Sequence, residues 1–268
     1  MPTVLLQVAY DGTGYCGWAR QRDSESIEDK VQAAVHALDP NASRVRGSSR
    51  TDAGVHADCQ LVAFDTEKII GARGWVLGTN RHLPDDIAIR QASLVEDGFT
   101  PRFAAKWKRY RYRLYAGRIR HPRFERTHWH VRFLLDRSRM RAAAELLLGE
   151  HDFAAFRTTM DERTSTVRTI FRADVEENGD EIAIVIEGSG FLHNMVRIIV
   201  GTLMDVGRGK LPADVVTEAI RTGDRRVLGT TAPAHGLCLE WTELERLSRE
   251  ATGDDTARGV VVEEERWP

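Results

Sequence analysis

The sequence is poor in cysteine and lacks a long uninterrupted hydrophobic run. Its three cysteines, Cys16, Cys59 and Cys238, form no C-x-x-C pair, and so sparse and odd a set is typical of a reducing compartment. Residues 3–8 alternate like a strand without a basic flank, unlike a signal peptide. The most apolar stretch, residues 191–206, contains a histidine, an asparagine and an arginine and does not fit a membrane span. We therefore predict a cytoplasmic protein without membrane contact.

The sequence also lacks an excess of positive charge. Lys and Arg number 38 against 40 Asp and Glu, the formal net charge is -2, and the pI is near 6.5. That average argues against nucleic-acid binding, which usually requires a basic protein or a basic patch. The charge is nevertheless unevenly distributed, because residues 102–141 carry 14 basic and 2 acidic side chains, a net of +12, against -14 elsewhere. A local basic surface is therefore expected.

The centre of this basic stretch is a predicted strand with two chemically different sides. Residues 107–115 alternate in type, and successive side chains of a strand point to opposite faces. One face holds Tyr110, Tyr112 and Leu114, and the other holds Arg109, Arg111 and Arg113. Arginine binds phosphate and aromatic rings stack on unpaired bases, so the combination favours RNA as a partner over a merely solvated face.

Strand-like and helix-like segments alternate along the chain without long linkers. Helices are predicted after Ser26, over 136–148, from Phe191 onward and from Pro212, and an Asn178-Gly179 turn predicts a β-hairpin. We predict an α+β (α/β) fold of two related ferredoxin-like (RRM-like) subdomains, with a mostly antiparallel sheet flanked by helices and a cleft between them. The subdomains are assigned to residues 1–103 and 104–241, and residues 242–268 to a flexible acidic tail.

Two loops could carry chemistry. Residues 12–17 (GTGYCG) fit a dinucleotide-binding pattern, but the next predicted helix begins only at Ser26, too late to hold a pyrophosphate. In the second loop, residues 47–56, small and polar residues surround the single carboxylate of Asp52, with Arg50 nearby. Asp52 could serve as a nucleophile or base, or could simply cap its own turn. The sequence has no P-loop, no G-x-S-x-G and no paired metal-ligand motif, so we predict no metal and no cofactor.

The second loop is one of five motifs shared with a known family. Residues 47–57 resemble the G-x-x-R-T-D-A-G-V-H-A loop of the tRNA pseudouridine synthase A family. The other four motifs lie at residues 10–18 (YDGTGYCGW), 107–112 (WKRYRY), 190–201 (GFLHNMVRIIVG) and 232–237 (APAHGL), so the five occur along the chain in family order. The resemblance extends to about residue 239. Ala19 departs from the family pattern, which usually has Gln there.

The resemblance implies an activity and roles for four residues. Enzymes of this family isomerise uridine to pseudouridine at positions 38, 39 and 40 in the anticodon stem-loop of tRNA, without a cofactor and as homodimers. By similarity, Asp52 is the catalytic carboxylate that attacks or deprotonates the ribose, and Arg197 keeps it ionised. Tyr110 would stack on the target uracil, and Arg50 would help to extrude the nucleotide and fill its place in the stem.

Two other functions fit parts of the sequence. A non-catalytic RNA-binding protein would keep the basic stretch but would have no use for the Asp52 loop. A carboxylate-dependent hydrolase acting on sugars would need a second acidic partner near Asp52, and no motif supplies one. The isomerase accounts for both features and is favoured.

Overall fold

The computed structural model describes residues 1–158 and 164–244, and ten strands in these ranges join in one sheet. The strands are β1 (Thr3–Tyr10), β2 (Arg46–Gly47), β3 (His56–Asp65), β4 (Ile87–Val95), β5 (Ala105–Tyr115), β6 (Trp129–His130), β7 (Gly149–Asp152), β8 (Val167–Asn178), β9 (Glu181–Gly188) and β10 (Leu237–Leu244). The helices are α1 (Ile27–Leu38), α2 (Ala72–Asn80), α3 (Pro101–Ala104), α4 (Arg137–Glu145), α5 (Met195–Gly207) and α6 (Val215–Thr222).

The sheet is mostly antiparallel. Its strands follow the order β4-β1-β3-β10-β5-β9-β8-β7, with β2 paired to β3 and β6 paired to β5. Among the described strands, β10 runs parallel to β3 and β6 runs parallel to β5, and the other pairs are antiparallel. The predicted hairpin is present, because β8 ends at Asn178 and β9 returns beside it. The predicted class, a mostly antiparallel sheet flanked by helices, is confirmed.

Strand β10 joins the two halves of the sheet. It pairs with β3 at Cys238 and Leu239, and it pairs with β5 along its whole length. The predicted boundary between the two subdomains, at residues 103 and 104, falls at the end of α3. One continuous sheet crosses this boundary, and the division into subdomains stays a prediction. Because β10 runs to Leu244, it includes the first three residues of the predicted tail, and residues 245–268 lie outside the described residues.

The main hydrophobic core lies on one face of the sheet. Alternation along β5 directs Tyr112 and Leu114 into the same fully buried cluster as Ile198 and Leu203 of α5. Each such side chain stabilises the fold by about 1.5–3 kcal/mol. A smaller hydrophobic cluster containing Leu5 of β1 covers part of the opposite face of the sheet. Along β5 itself, the buried aromatic side chains alternate with less buried arginines, so both faces predicted for this strand are present.

Local signals place some helix boundaries correctly and miss others. The Ser26 hydroxyl accepts a hydrogen bond from the Asp29 N–H at 3.1 Å, which confirms the predicted cap of α1. The helix predicted from Phe191 begins only at Met195, because Asn194 adopts a left-handed conformation with φ of 62°. The helix predicted from Pro212 likewise begins only at Val215. None of the helices in the described ranges combines the length and hydrophobicity needed to cross a membrane.

Candidate active site

The loop between β2 and β3 presents the carboxylate of Asp52. The Val55 N–H donates to the backbone carbonyl of Asp52 at 3.1 Å, and Gly54 has a φ of 76°, which this tight turn requires. The hydrogen bond that closes the turn is therefore accepted by the backbone carbonyl of Asp52 and not by its carboxylate. The Asp52 side chain, about one quarter exposed, instead contacts Arg197 and His193. This geometry disfavours the interpretation that Asp52 only caps its own turn.

Residues 10–18 pack against this loop and hold it in place. A Cβ atom on Gly12 would lie 2.1 Å from the carbonyl oxygen of Val55, so only glycine allows the two segments to approach so closely. The Tyr10 hydroxyl lies 2.8 Å from Thr51 Oγ1, and the backbone N–H of Trp18 donates to the backbone carbonyl of Thr51 at 3.1 Å. The glycine-rich motif therefore positions the neighbour of Asp52. Its glycines form only the short 3₁₀ helix Gly12–Gly14, and α1 begins at Ile27, too late in the chain to hold a pyrophosphate.

Arg197, in the first turn of α5, holds one oxygen of Asp52. Its Nη1 lies 3.3 Å from Asp52 Oδ2 and 2.7 Å from Asn194 Oδ1, while its Nε donates to the Ala232 carbonyl at 2.8 Å. These bonds fix the guanidinium at the N-terminal end of α5, where the helix dipole also favours a negative charge. The structure thus joins two of the residues that the family resemblance selects.

His193 holds the other oxygen, and sequence analysis did not select it. His193 Nε2 lies 3.3 Å from Asp52 Oδ1, and the Thr158 Oγ1 lies 2.9 Å from His193 Nδ1. If the threonine hydroxyl donates to Nδ1, Nε2 carries the proton and can donate to the carboxylate. The signal was available, because His193 lies within the motif at residues 190–201 that also supplies Arg197.

Tyr110 lies on the β5 face that turns toward α5. Its ring packs edge-on against Phe191 with centroids 5.1 Å apart, and only 8% of the residue is exposed. Burial raises the pKa of Tyr10, and the nearby Tyr110 adds to that increase. Because the Tyr10 hydroxyl also contacts Thr51, Tyr110 belongs to the group of aromatic residues beside the Asp52 loop.

Arg50 is exposed two residues before Asp52. Within residues 1–158 and 164–244 its side chain forms neither an ion pair nor a hydrogen bond, unlike Arg197. A cation in this position can reach a substrate without first breaking a protein contact. Its location is consistent with the predicted role, which stays a prediction.

The three arginines on the other face of β5 lie away from this group. Arg109 pairs with Glu187 at 2.7 Å, and Arg111 pairs with Glu176 at 2.7 Å and Glu240 at 2.6 Å. Burial acts to lower the pKa of Arg111, but hydrogen bonds to the two carboxylates outweigh it and raise that pKa. Arg113 lines a cavity together with Asp11, Asp58, Asp85 and Asp86. Their role in RNA binding stays a prediction, and the structure does not bring them to Tyr110.

Comparison with known proteins decides the family. A family model described as tRNA pseudouridine synthase matches residues 143–243. The tRNA pseudouridine synthase A of Geobacter sulfurreducens is 44% identical over 240 residues, which are 90% of this chain and 98% of that protein. The chain belongs to the tRNA pseudouridine synthase A family. The member from Thermoanaerobacter sp. strain X514 is 42% identical over 239 residues, which are 89% of this chain and 98% of that protein.

Membership of the tRNA pseudouridine synthase A family makes the protein an isomerase that acts on uridine in tRNA. It therefore disfavours both a non-catalytic RNA-binding protein and a sugar hydrolase. One chain of a solved Cbf5-Nop10-Gar1 complex aligns with 75% of this chain and over 54% of its own length, at 12% sequence identity. The TM-score of that alignment is 0.33, which is too low to support a conclusion. Across the part of the chain that the structure describes, no three His, Cys, Asp or Glu side chains gather in a group that could hold a metal ion.

Proposed function

We propose that Asp52 is the catalytic carboxylate and that the enzyme converts uridines 38, 39 and 40 in the anticodon stem-loop of tRNA to pseudouridine. The observation that carries this proposal is the pair of contacts on Asp52, from Arg197 at one oxygen and His193 at the other, each 3.3 Å long. Asp11, the other carboxylate of the shared motifs, contacts His56 at 3.2 Å, but the arginine at its second oxygen, Arg126, lies farther away at 3.7 Å and outside those motifs. The anticodon positions follow from the family resemblance.

The proposed reaction needs a carboxylate and no added reactant. The N1–C1′ bond of the nucleotide breaks, the uracil turns, and C5 bonds to C1′ while the proton at C5 leaves and N1 regains one, so the composition is unchanged. Asp52 would either attack C1′ or remove a proton from the ribose, and both routes use its ionised form. The guanidinium of Arg197 favours that form because an opposite charge lies within hydrogen-bond reach.

The target base must leave the stem before Asp52 can reach its ribose. Unstacking a base costs a few kcal/mol, which new contacts in the enzyme must offset. Tyr110 would stack on the extruded uracil from a ring already fixed by Phe191. Arg50, exposed and without a partner among the described residues, would fill the vacated place in the stem.

Two further expectations belong to the same proposal. The enzyme would act as a homodimer with one tRNA lying across both subunits, as the family resemblance implies. It would act in the cytoplasm, which the three free cysteines support because thiols persist in a reducing compartment. Size-exclusion chromatography with light scattering tests the first expectation, and localisation of a tagged full-length chain tests the second.

The substrate positions can be tested with the purified protein. Three anticodon-arm transcripts would each carry one uridine, at position 38, 39 or 40, and a fourth would carry cytidine at all three. Mass spectrometry of the digested RNA should find pseudouridine in the first three and none in the fourth. Modification confined to another arm of full-length tRNA, with none of the three arms modified, would contradict the proposed positions.

A further inference from the structure

A second cavity lies beside the Asp52 site without including it. It has a volume of about 470 Å³, within the usual range for small-ligand sites. Most of its wall comes from the connection between β5 and α4, and His235 completes it. Asp52, His193 and Arg197 are not among its lining residues. The cavity is therefore a separate feature whose contents the reaction at Asp52 does not explain.

The lining of this cavity combines aromatic rings with cations. Trp129 and Phe133 contribute ring surfaces, and Arg120 and Arg132 contribute guanidinium groups. Arg208 covers one face of the Phe133 ring at 3.8 Å, and the third ring, Phe124, is already packed on His121 and His128. Rings of this kind stack on unpaired bases, and arginine binds phosphate through paired N–H groups. Glu125 is the one carboxylate on the wall. The composition therefore fits a nucleotide better than a neutral or cationic ligand.

The arginines of this connection are available to a ligand. Arg118, Arg120, Arg123 and Arg132 are exposed, and none forms an ion pair with any residue in the described ranges. Arg109 and Arg111, by contrast, are already neutralised by carboxylates of the sheet. Phosphate contacts can therefore form in the connection without displacing an internal partner. The connection therefore offers cations that the two ion-paired arginines of the strand do not.

One short segment separates the cavity from the Asp52 loop. On one side, a Cβ on Gly54 would lie 3.3 Å from Ala234 Cβ. On the other side, His235 lines the cavity, and its Nε2 lies 3.1 Å from the His128 carbonyl. His56, four residues after Asp52, donates from Nε2 to the His235 carbonyl at 3.0 Å. The two sites are therefore adjacent and fixed relative to each other, as two nucleotides of one RNA would require.

We propose that this cavity binds an unpaired nucleotide of the RNA substrate other than the uridine that reacts. Its base would lie against the aromatic wall, and adjoining phosphates would contact Arg120 and Arg132. The assignment rests on the proposed function for its RNA partner, but it does not depend on Asp52 as the catalytic group. The two can therefore fail independently.

Paired charge removals test the phosphate contacts. The double variant Arg120→Ala/Arg132→Ala should bind a tRNA transcript more weakly than the wild-type enzyme in fluorescence anisotropy. The plot of the logarithm of the association constant against the logarithm of the salt concentration has a negative slope. The magnitude of this slope should decrease by about 1.4–1.8, because each lost phosphate contact removes about 0.7–0.9. The matched control is Arg73→Ala/Arg81→Ala on and beside α2, where both arginines are exposed and have no ion-pair partner among the described residues. Its slope should equal that of the wild type.

A third variant tests stacking separately from charge. Phe133→Leu keeps an apolar side chain but removes the ring, so tRNA affinity should fall about 5-fold or more while the salt slope stays unchanged. Equal losses in the cavity variants and in the control would overturn the proposal, since any arginine would then serve. Unchanged RNA binding with an altered oligomeric state would also overturn it and would assign the surface to a second copy of the chain.

Pseudouridine formation by the wild-type enzyme and by the Asp52→Asn variant separates the two proposals. If Asp52→Asn abolishes the product but the cavity variants bind tRNA as tightly as the control, the cavity proposal fails and the role of Asp52 stands. If Asp52→Asn forms the product at a rate near that of the wild type and the cavity variants still lose affinity, the cavity proposal stands and the assignment of Asp52 fails.

Discussion

The Nη1 atom of Arg197 lies 3.3 Å from the Oδ2 atom of Asp52, although 145 residues separate them along the chain. Asp52 belongs to the loop that leads into β3, and Arg197 belongs to α5, which follows β9 in the chain. In the sheet, β3 and β9 lie on opposite sides of β10. The contact therefore links the two halves of the sheet that β10 joins.

Replacing Arg197 separates the effect of its charge from that of its shape. Arg197→Met removes the cation beside Asp52, and we expect single-turnover pseudouridine formation to slow about 100-fold, as when other preorganised charged contacts are removed. Arg197→Lys keeps the charge but cannot reproduce the planar fork that also binds the Ala232 carbonyl, so an intermediate rate is expected. Circular dichroism would confirm that both variants fold. A rate for Arg197→Met within 2-fold of wild type would contradict this role.

His193 can be tested by substitutions that keep or remove its donor. His193→Gln can place an amide N–H near Asp52 Oδ1, and His193→Ala cannot. We expect the alanine variant to lower kcat about 10-fold, the value of roughly one hydrogen bond to a charged group, while tRNA binding changes less than 2-fold. The glutamine variant should recover most of the loss. Equal rates for the two variants would show that the donor is unimportant.

Asp65 provides a prediction about stability and pH. Hydrogen bonds from Arg46 and the attraction of its charge hold the pKa of Asp65 at about 2, below its usual value, and tie the end of β3 to β2. A depressed pKa means that the stabilisation is fully present above about pH 4 and is lost as the pH falls toward 2. We expect Asp65→Asn to lower the free energy of unfolding by about 1–2 kcal/mol at pH 7.

The same difference should shrink steadily below pH 4 in urea titrations. Asp180→Asn is the matched control, because Asp180 is exposed and has no ion-pair partner in the described part of the chain. A loss for Asp65→Asn that persists unchanged at pH 3 would indicate a packing effect rather than the charge of Asp65.

Short-range patterns in the sequence predicted the elements that position the site. The strict alternation of residues 107–115 separated the face of Tyr110 from that of the arginines, because strand geometry has a period of two. Ser26 marked the start of α1 through its own side-chain hydrogen bond. The family resemblance led us to expect that Arg197 pairs with Asp52, and the two side chains are in contact in the structure.

Contacts between distant strands could not be predicted in this way. Nothing local to Arg111 indicates that Glu176 and Glu240 will flank it, because that depends on the register of β5 with its neighbours. Sequence analysis therefore assigned the RNA-binding cations to the strand, whereas Arg118, Arg120, Arg123 and Arg132, which form no ion pair with the described residues, lie in the connection that follows. The helix expected from Phe191 starts late for a local reason: Asn194 is left-handed, and its side-chain oxygen accepts a hydrogen bond from Arg197 three residues later.

The isosteric variant Asp52→Asn tests the central claim most directly. Asparagine keeps the size and shape of the side chain but cannot carry the negative charge that attack or proton removal requires. Purified variant and wild-type enzyme would be incubated with the same tRNA, and pseudouridine would be quantified by mass spectrometry beside a binding titration. We predict tRNA affinity within about 3-fold of wild type and no detectable pseudouridine. Product formed at a tenth of the wild-type rate or faster would contradict the assignment of Asp52 as the catalytic group.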